Sequence, residues 1–356
     1  MESLEVADLR NIRHARCVLG PGLNVFAGRN AQGKTSLLEA VALLARGRSF
    51  RTDEVRTLVR RGAASLCTRG ATMSDDRVTH LEVEVGMGDG EKRRLRVDGR
   101  DVPPRAYQGR LEAVVYSTDR LRVVRGPLRD RRQFLDRGAA ALWPVYRQTV
   151  REYERIVRQR NAALEQGARD LPAWDERFLE LGATLRERRA EYVRRLRTAL
   201  GHGFSPRGEV YDDVITPAVE GGVDAQRRVL ETAMVARRRD EQRARRSLVG
   251  PHRDEVALQV NGVEAGEFAS SGQARSLLLA LALATLAVYR EEQGQAAVAL
   301  LDDLDSELDE ERTAALCHEV ASRGQALVTT AHPGWARRLG GETRLFTVDG
   351  GEVTAA

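Results

Sequence analysis

The feature that most constrains the fold is a glycine-rich segment, residues 28–35, which reads Gly-Arg-Asn-Ala-Gln-Gly-Lys-Thr. It matches the pattern G-x-x-x-x-G-K-[ST], in which the glycines let backbone N–H groups surround phosphate groups. The apolar residues 23–27 before it predict a buried strand, and apolar residues at helical spacing after it predict a helix that ends at Gly47. A strand, this loop and a helix in that order predict a nucleoside triphosphate site.

Every residue of the loop is a candidate contact, as is the serine that follows it. Lys34 is expected to reach the β- and γ-phosphates, and the Thr35 hydroxyl to bind Mg²⁺. The start of the helix adds its positive dipole end. The candidate nucleotide contacts of this segment are Gly28, Arg29, Asn30, Ala31, Gln32, Gly33, Lys34, Thr35 and Ser36.

Two adjacent carboxylates, Asp302 and Asp303, follow an apolar run at residues 297–301 that predicts a buried strand. In a P-loop ATPase the first acid of such a pair binds Mg²⁺, directly or through water, and the second faces the attacking water. Two acids at a strand end can also form a solvated turn or a helix cap. The glycine-rich loop favours the first interpretation, which makes Asp302 a metal ligand with Thr35 and makes Asp303 catalytic with Lys34.

A short polar segment, residues 270–273, lies 29 positions before the paired acids (302 − 273) and leads into an apolar helix at Ser276 to Tyr289. Hydroxyl groups and backbone N–H groups at a helix start suit an anion such as phosphate. The alternative is an ordinary serine cap on a core helix, and the spacing to the acids favours phosphate. The candidate contacts here are Ser270, Ser271, Gly272 and Gln273.

Two further segments follow the acids. Residues 306–309, Ser-Glu-Leu-Asp, begin three positions after Asp303. His332 ends the next predicted strand, residues 326–330, where an imidazole could contact the γ-phosphate. A lone histidine is often solvated, but the position makes His332 a candidate catalytic residue.

From about Gly126 to Gly201 the pattern is helical, with apolar stripes from Tyr146 to Leu164 and from Trp174 to Leu196. These stripes predict an antiparallel helical hairpin. Residues 126–200 hold 17 arginines and 11 acids, a net of +6, whereas the whole chain has only +5. A basic arm beside a near-neutral body predicts DNA binding through phosphates without sequence preference, although a solvated hairpin face would show the same composition.

The chain is therefore predicted to contain two domains. Residues 1–125 and 206–356 form an ATPase head, and residues 126–205 form an inserted helical arm. After the arm, a short strand is predicted at Val210 to Ile215 and a basic helix at about Val223 to Leu248.

Together these motifs resemble an ABC-type ATPase head of the SMC branch, and more specifically the RecF family of recombination mediators. The resemblance implies an α/β fold: a P-loop ATPase head in which mixed sheets surround the P-loop helix, with an inserted mainly helical arm domain. The segments that carry the likeness occur in one order over nearly the whole chain; they are residues 10–11, 28–35, 47–51, 131–136, 158–161, 250–254, 271–273 and 302–309.

What the resemblance implies about function is specific. Members of the family bind ATP with Mg²⁺, form head-to-head dimers with ATP at the interface, and bind DNA in that state. They act with RecR and RecO at single-strand gaps to help load RecA in DNA repair and replication, and their DNA-stimulated hydrolysis is slow. In such a dimer residues 28–35, Asp302 and Asp303 would act from one subunit, and Ser271, Gly272 and Gln273 from the other.

The sequence departs from the ABC pattern in two places. Asp303 stands where many ABC ATPases have Glu, and its shorter side chain is expected to hold water less well. The segment Tyr116-Ser117-Thr118-Asp119 occupies the Q-loop region without a glutamine. The residue that couples the phosphates to the arm is therefore not identified.

Three other classes of protein fit the sequence less well. Residues 270–273 resemble the S-G-G-Q signature segment of ABC-type ATPases, with Ser271 in place of the first Gly. In a transporter ATPase the glycine-rich loop and this signature segment usually lie about a hundred residues apart, whereas here 235 positions separate Thr35 from Ser270 (270 − 35). A small-substrate kinase or GTPase would not explain the signature, and a true SMC protein needs far longer arms. The apolar run 276–289 is shorter than the roughly 18 residues that a bilayer needs. With no signal peptide at the start, we expect no membrane contact and a cytoplasmic protein.

Overall fold

The computed structural model describes residues 1–74, 77–88, 93–168, 171–201, 221–293, 297–306, 308–338 and 343–356. The chain divides into two units, the head unit (Met1–Leu121 and Leu278–Ala356) and the helical unit (Arg122–Leu277). The strand predicted at Val210 to Ile215 and residue Glu307 lie outside the described residues.

The first part of the head unit holds the glycine-rich loop and most of the strands. Its elements are β1 (Ser3–Leu9), β2 (Ile12–Val18), β3 (Leu23–Ala27), α1 (Lys34–Arg46), β4 (Ser65–Ser74), β5 (Arg77–Gly86), β6 (Arg94–Val97), β7 (Arg100–Asp101), α2 (Pro104–Tyr107) and β8 (Ala113–Tyr116). As the sequence predicts, β3 ends where the glycine-rich segment begins, and α1 starts at Lys34 within the last two residues of that segment.

The helical unit holds the elements α3 (Arg122–Arg125), α4 (Leu128–Leu142), α5 (Tyr146–Glu165), α6 (Pro172–Gly201), α7 (Gly222–Ala244), β9 (Gln259–Val260), β10 (Val263–Glu264) and α8 (Ala265–Phe268). Helix α6 packs against α4, α5 and α7. The contact with α7 is close, because a Cβ placed on Gly182 of α6 would lie 3.2 Å from Leu230 Cδ1. The predicted arm, residues 126–205, therefore covers only part of this unit.

Helix α9 (Ser271–Gln293) begins in the helical unit and continues into the head unit. Its stretch Ser271–Glu292 is long and apolar enough to cross a membrane by length and composition alone. However, 61% of the most apolar part is buried inside the protein, which is typical of a core helix.

The head unit ends with β11 (Val298–Leu301), α10 (Glu310–Arg323), β12 (Ala326–Thr330), α11 (Gly334–Arg338), β13 (Arg344–Asp349) and β14 (Glu352–Ala355). These strands join β3 and β8 in a six-stranded sheet of order β14-β13-β3-β12-β11-β8. Neighbouring strands are parallel except β13 and β14. The strands β3, β8, β11 and β12 are buried on both faces and consist mainly of apolar residues, as parallel strands in a core require.

A second sheet, of order β2-β1-β4-β5-β6-β7, is antiparallel throughout. Helix α1 contacts strands of both sheets and contributes its leucines to the shared core, so it is buried over most of its length. The carboxyl ends of β3, β12, β11 and β8 meet at one edge of the parallel sheet. In α/β proteins that edge is where ligands bind.

Candidate nucleotide-binding site

The glycine-rich loop follows β3 and can be built only with glycine at two positions. A Cβ on Gly28 would lie 2.1 Å from the carbonyl oxygen of Val348 in β13, closer than any real contact. Gly33, the residue before α1, has φ +115°, a conformation that side chains with a Cβ rarely adopt. The spacing of these glycines therefore reflects two separate steric demands.

Two turns far apart in sequence hold the loop in place. Gln32 accepts hydrogen bonds from Gly351 N at its carbonyl (3.0 Å) and from Gly350 N at its side-chain Oε1 (2.6 Å). Asn11, in the turn between β1 and β2, donates to the Ala31 carbonyl at 3.4 Å and accepts from the Ser36 hydroxyl at 3.3 Å. The loop is thus fixed from both sides.

Lys34 is buried at the start of α1. Its ammonium donates to the carbonyl oxygens of Gly28 (2.5 Å) and Arg29 (2.9 Å), which are neutral partners. Burial lowers the pKa of Lys34, while the charges of Asp303, Asp305 and Asp302 act in the opposite direction. A buried cation held only by carbonyl dipoles is well placed to receive an anion.

Asp302 follows β11 and is only 6% exposed. Hydroxyl groups surround its carboxylate: Thr35 Oγ1 donates to Oδ1 at 2.9 Å, Thr329 Oγ1 to Oδ1 at 2.7 Å, and Ser117 Oγ to Oδ2 at 3.3 Å. Burial, the largest cause, raises the pKa of Asp302; the charge of Asp303 adds to this and the hydroxyl hydrogen bonds oppose it. Thr35 and Asp302, predicted as metal ligands from positions 267 residues apart, are in contact.

Asp303 lies beside Asp302 but is more exposed and has φ +56°, the left-handed region. Its N–H donates to Thr329 Oγ1 at 2.9 Å, which holds this conformation. Aspartate tolerates the left-handed region better than most residues, and backbone strain of this kind often occurs at functional sites.

The loop after β12 is fixed by Asp305, which the sequence analysis did not single out. Oxygen Oδ2 of Asp305 accepts hydrogen bonds from the Thr330 hydroxyl, from Ala331 N (3.0 Å) and from His332 N (3.1 Å). Thr330 Oγ1 also accepts from Trp335 Nε1 at 3.3 Å. The imidazole of His332 itself is exposed. The structure therefore fixes the backbone that presents His332 and leaves its side chain at the surface.

The segment 270–273 forms a capping box at the start of α9. Ser270 Oγ accepts from Gln273 N at 3.2 Å, and Gln273 Oε1 accepts from Ser270 N at 2.8 Å. Two of the four predicted contacts are thus bound to each other, and Ser271 is exposed between them. This segment belongs to the helical unit, whereas the glycine-rich loop belongs to the head unit.

Residues 306–309 connect the acids to α10. Leu308 is buried, and the Asp309 carboxylate caps α10 by accepting from Arg312 N at 2.9 Å. Within the described part of this segment, the structure therefore shows a helix-capping role for Asp309.

Further segments that carry the family likeness meet at one carboxylate beneath the loop. Glu39 of α1 is fully buried and accepts from Arg10 Nε (2.5 Å), Arg10 Nη2 (3.0 Å) and Ser49 Oγ (2.5 Å). Arg51 lies 3.8 Å from Glu39 and donates from Nε to Asp119 Oδ2 at 2.6 Å. Residues 10–11 and 47–51 thus support α1 and connect it to the segment after β8.

Apart from residues 271–273, the likeness segments of the helical unit take part in its internal packing. Arg160 is 4% exposed and donates to Asp175 (2.8 Å), Glu241 (2.6 Å) and Ser247 (2.8 Å). These three contacts join α5 to α6, to α7 and to the chain that follows α7.

A second cluster lies near residues 250–254. Arg189 donates to both carboxylate oxygens of Asp136, at 2.7 and 2.9 Å, and to the Pro251 carbonyl at 2.7 Å, while Arg186 donates to the Asp254 carboxylate. Gly250 has φ +122°, and a Cβ there would lie 2.3 Å from Tyr153 Oη. Residues 131–136, 158–161 and 250–254 therefore build the core of the helical unit.

The donor set of the head unit fits Mg²⁺ with a triphosphate. A hydroxyl and a carboxylate in contact are hard oxygen ligands, and Mg²⁺ in such sites takes one or two protein oxygens and completes its shell with phosphate and water. Among the described residues no group of three or more His, Cys, Asp or Glu could hold a metal ion by itself. The site therefore suits a metal that arrives with its anion.

The structure brings three residues that the sequence predicts for the site, Lys34, Thr35 and Asp302, together at one edge of the sheet. Sequence reasoning missed Ser117, Thr329 and Asp305. Thr329 and Thr330 at the end of an otherwise apolar run were a possible signal, because hydroxyls at the end of a buried parallel strand face the ligand edge.

Comparison with known proteins supports the family resemblance that the sequence motifs indicate. The family model described as RecF/RecN/SMC N terminal domain matches residues 1–353. A DNA replication and repair protein RecF from Symbiobacterium thermophilum is 36% identical over 369 residues, which cover 99% of this chain and 97% of the relative.

Solved structures agree on the fold. The recombination mediator protein RecF-ATP in the RecFOR pathway has a TM-score of 0.87 at 24% identity, covering 100% of this chain and 98% of that chain. An Smc head domain from Pyrococcus furiosus, bound to the C-terminal domain of ScpA, has a TM-score of 0.55 at 13% identity and covers 100% and 95%. The predicted fold, an α/β ABC-type head built around a P-loop helix, is confirmed, with one mixed and one antiparallel sheet beside that helix. The chain therefore belongs to the RecF family, within the wider group of RecF, RecN and SMC N-terminal domains.

Proposed function

We propose that this protein is an ATP-dependent DNA-binding protein of recombinational repair and replication. ATP with Mg²⁺ joins two copies into a dimer on DNA at single-strand gaps or junctions, and slow, DNA-stimulated hydrolysis releases them. The observation that carries the proposal is the contact between Thr35 and Asp302 beside the buried ammonium of Lys34. A similar protein is described as a recombination mediator with ATP in the RecFOR pathway.

In this proposal the candidate site residues of the head unit have the following roles. The N–H groups of residues 28–35 and the Lys34 ammonium bind the phosphates, and Thr35 and Asp302 hold Mg²⁺, which neutralises phosphate charge. Asp303 positions the attacking water and accepts its proton. Because Asp303 is one methylene shorter than the glutamate common in ABC ATPases, we expect slow hydrolysis.

The signature segment supplies the second half of the proposed site from the partner copy. Ser271 is exposed at the start of α9, next to the backbone N–H groups of the first helical turn. These groups suit the γ-phosphate of a nucleotide bound by another copy. Ser270 and Gln273 hold this helix start in place through the capping box.

Sedimentation velocity with and without ATP and Mg²⁺ tests the proposal. The wild type is expected to dimerise with ATP, and Ser271→Arg to remain monomeric while it binds ATP with unchanged affinity. Ala173→Arg is a matched control, since it adds the same charge at the exposed start of α6. A dimer in the Ser271 variant, or loss of its ATP binding, would show that the segment does not act across the interface.

Lys34→Arg tests the head half of the site separately. Guanidinium keeps the charge but is planar and larger than ammonium. We expect ATP binding to fall together with dimerisation, whereas the Ser271 variant loses dimerisation alone. Unchanged ATP binding by the Lys34 variant would contradict the assignment of the loop.

The proposed partners and location follow from the family. We propose that the dimer acts with RecR and RecO, and through them with RecA, in the cytoplasm and on the nucleoid. Copurification of the untagged protein with DNA rather than with membrane vesicles would support this over a transporter ATPase subunit.

A further inference from the structure

The C-terminal end of α7 and the residues just after it carry the densest run of positive charge in the helical unit. Residues 237–246 contain six arginines and two acids. All six arginines are exposed. Arg253 is also exposed. It lies next to the end of this run, since its Nε donates to the Ser247 carbonyl at 3.3 Å.

The two acids offset little of this charge at the surface. Glu241 is buried and bound by Arg160 and by Leu248 N at 2.7 Å, so it is neutralised from within the unit. Asp240 is shared, with Arg237 and Arg243 each 3.4 Å away. Arg238 lies 3.5 Å from Asp175.

The remaining arginines of the run are free of such contacts. Arg239, Arg245 and Arg246 form no ion pair within the described part of the chain. We call the exposed side chains of Arg239, Arg243, Arg245 and Arg246 the α7 basic surface. Of these four, only Arg243 has an ion pair within the described residues, an exposed contact at 3.4 Å with Asp240.

In the predicted arm, by contrast, many arginines are buried or paired. Arg131, Arg160, Arg186 and Arg189 are largely buried and bound to carboxylates or carbonyls. Arg188 and Arg195 lie over the ring of Trp143. Much of the arm's formal charge therefore holds the helices together and is not available to a ligand.

A helix end explains part of the run but not all of it. Cations near the C-terminus of a helix interact favourably with its dipole, and the effect fades within one turn. One or two arginines satisfy this interaction, whereas six occupy residues 237–246. Arg239 and Arg243 are four positions apart and therefore project from one face, about 6 Å apart along the axis.

We propose that the α7 basic surface binds the phosphate backbone of duplex DNA without reading its sequence. This inference rests on the proposed DNA-binding function and names the surface that performs it. Single strands are usually bound with bases stacked on aromatic side chains. Residues 221–253 contain no Phe, Tyr or Trp, which favours the duplex.

The test compares two matched pairs of exposed arginines, each four positions apart on one helix. Arg239→Gln/Arg243→Gln removes charge from the α7 basic surface, and Arg151→Gln/Arg155→Gln removes the same charge from α5 of the predicted arm. Binding of a labelled duplex of mixed sequence is measured by anisotropy with ATP and Mg²⁺ over a series of salt concentrations. Melting of each variant confirms that it is folded.

The α7 pair is expected to weaken duplex binding by about tenfold or more near 0.1 M salt and to lower the salt slope by about 2. The α5 pair is expected to change both quantities less. Equal or larger losses in the α5 pair, or an unchanged slope in the α7 pair, would overturn the inference and leave the proposed function standing. A preference for an unlabelled single strand as competitor would overturn the duplex assignment.

Two further outcomes complete the test. If the α7 pair destabilises the protein, Arg245→Gln/Arg246→Gln replaces it, because these residues follow α7 and form no ion pair within the described residues. If the wild type shows no salt-dependent DNA binding at all, the proposed function fails, and the inference fails with it.

Discussion

The candidate nucleotide-binding site of the head unit and the core of the helical unit both bury charged side chains, but they compensate the charge in different ways. In the head unit Lys34 is held by carbonyls and Asp302 by hydroxyls, so neither charge meets its opposite. In the helical unit Arg160 meets Asp175 and Glu241 at hydrogen-bond distance. This difference distinguishes buried charges that can bind a ligand, such as Lys34 and Asp302, from buried charges that stabilise the fold, such as Arg160.

The physical reason is the cost of burial. A buried ion needs either an opposite charge or a ligand, because dipoles alone compensate it incompletely. The raised pKa of Asp302 and the lowered pKa of Lys34 record this incomplete compensation. In the helical unit the Arg160 charge is already compensated, so the likeness segment 158–161 points to stability and not to chemistry.

The largest expected effect comes from breaking the compensated cluster. Arg160→Met leaves Glu241 and Asp175 without their partner and should reduce the free energy of unfolding by about 3–5 kcal/mol. Urea denaturation of the full chain measures this. Arg158→Met, at an exposed position two residues away, should change it by less than about 0.5 kcal/mol. Equal effects of the two variants would contradict the contrast between the units.

The next prediction applies one substitution to both regions. Asp302→Asn removes a buried charge whose partners are hydroxyls, so the nucleotide-free protein should be as stable or slightly more stable. Mg²⁺-dependent ATP hydrolysis should fall by roughly 10- to 100-fold or more.

Asp254→Asn is the matched substitution in the helical unit. It leaves Arg186 less well paired and should cost roughly 1–3 kcal/mol of stability. Thermal melting without nucleotide and phosphate release with ATP measure the two effects. A loss of stability in the Asp302 variant equal to that in the Asp254 variant would show that both carboxylates are structural.

The pH dependence of stability sharpens the comparison further. Burial lowers the pKa of His252 to about 4, and its Nδ1 lies 2.8 Å from Tyr153 Oη. The nearby charges of Arg253 and Arg132 lower the pKa further, while Asp254 and a backbone hydrogen bond raise it.

His252 binds a proton near pH 6.5 in the unfolded chain but only near pH 4 in the folded chain. Its neutral form therefore contributes no loss of folding free energy above pH 6.5, and the free energy of unfolding falls as the pH drops towards 4. At pH 5 the loss from this group is about 2 kcal/mol. Urea denaturation followed by helix circular dichroism at pH 7, 6 and 5 measures it. His252→Gln should remove this component, and an unchanged pH dependence would refute the role of His252.

The smallest effect is expected at the loop after β12. Asp305→Ala removes the acceptor for Ala331 N and His332 N, and should lower kcat for ATP several-fold with little change in KM. Asp305→Asn keeps an acceptor oxygen and should restore most of the rate. If alanine and asparagine behave alike, Asp305 does not position this loop through its hydrogen bonds.

Local signals in the sequence predicted the parts of the site that are continuous. The loop, Lys34 and Thr35 lie within one segment, and Asp302 follows an apolar strand, so pattern and spacing were sufficient to predict that they lie together. Their roles with nucleotide and metal stay predictions. Ser117 and Thr329 were missed because their contact with Asp302 depends on strand order: β8 and β12 flank β11, and no local pattern states this. His332 and the signature residues stay predictions.

The charge count does not by itself show which arginines are exposed and unpaired, for a related reason. Residues 126–200 are rich in arginine, but composition does not say which arginines find carboxylates on neighbouring helices. Arg160 and Arg189 found partners more than 50 residues away, at Glu241 and Asp136. The basic helix after the arm was predicted, but its exposed charge became visible only when these pairs were known.

The hydrogen bonds from Gly350 N and Gly351 N to Gln32 have a consequence for folding during translation. The two ends of this contact are 318 residues apart, and a Cβ on Gly28 is excluded by Val348, from the same distant hairpin. In a nascent chain on the ribosome the loop therefore lacks this support until residues 348–351 have been synthesised. Its affinity for nucleotide should arise abruptly, only once β13 and the turn after it have left the exit tunnel.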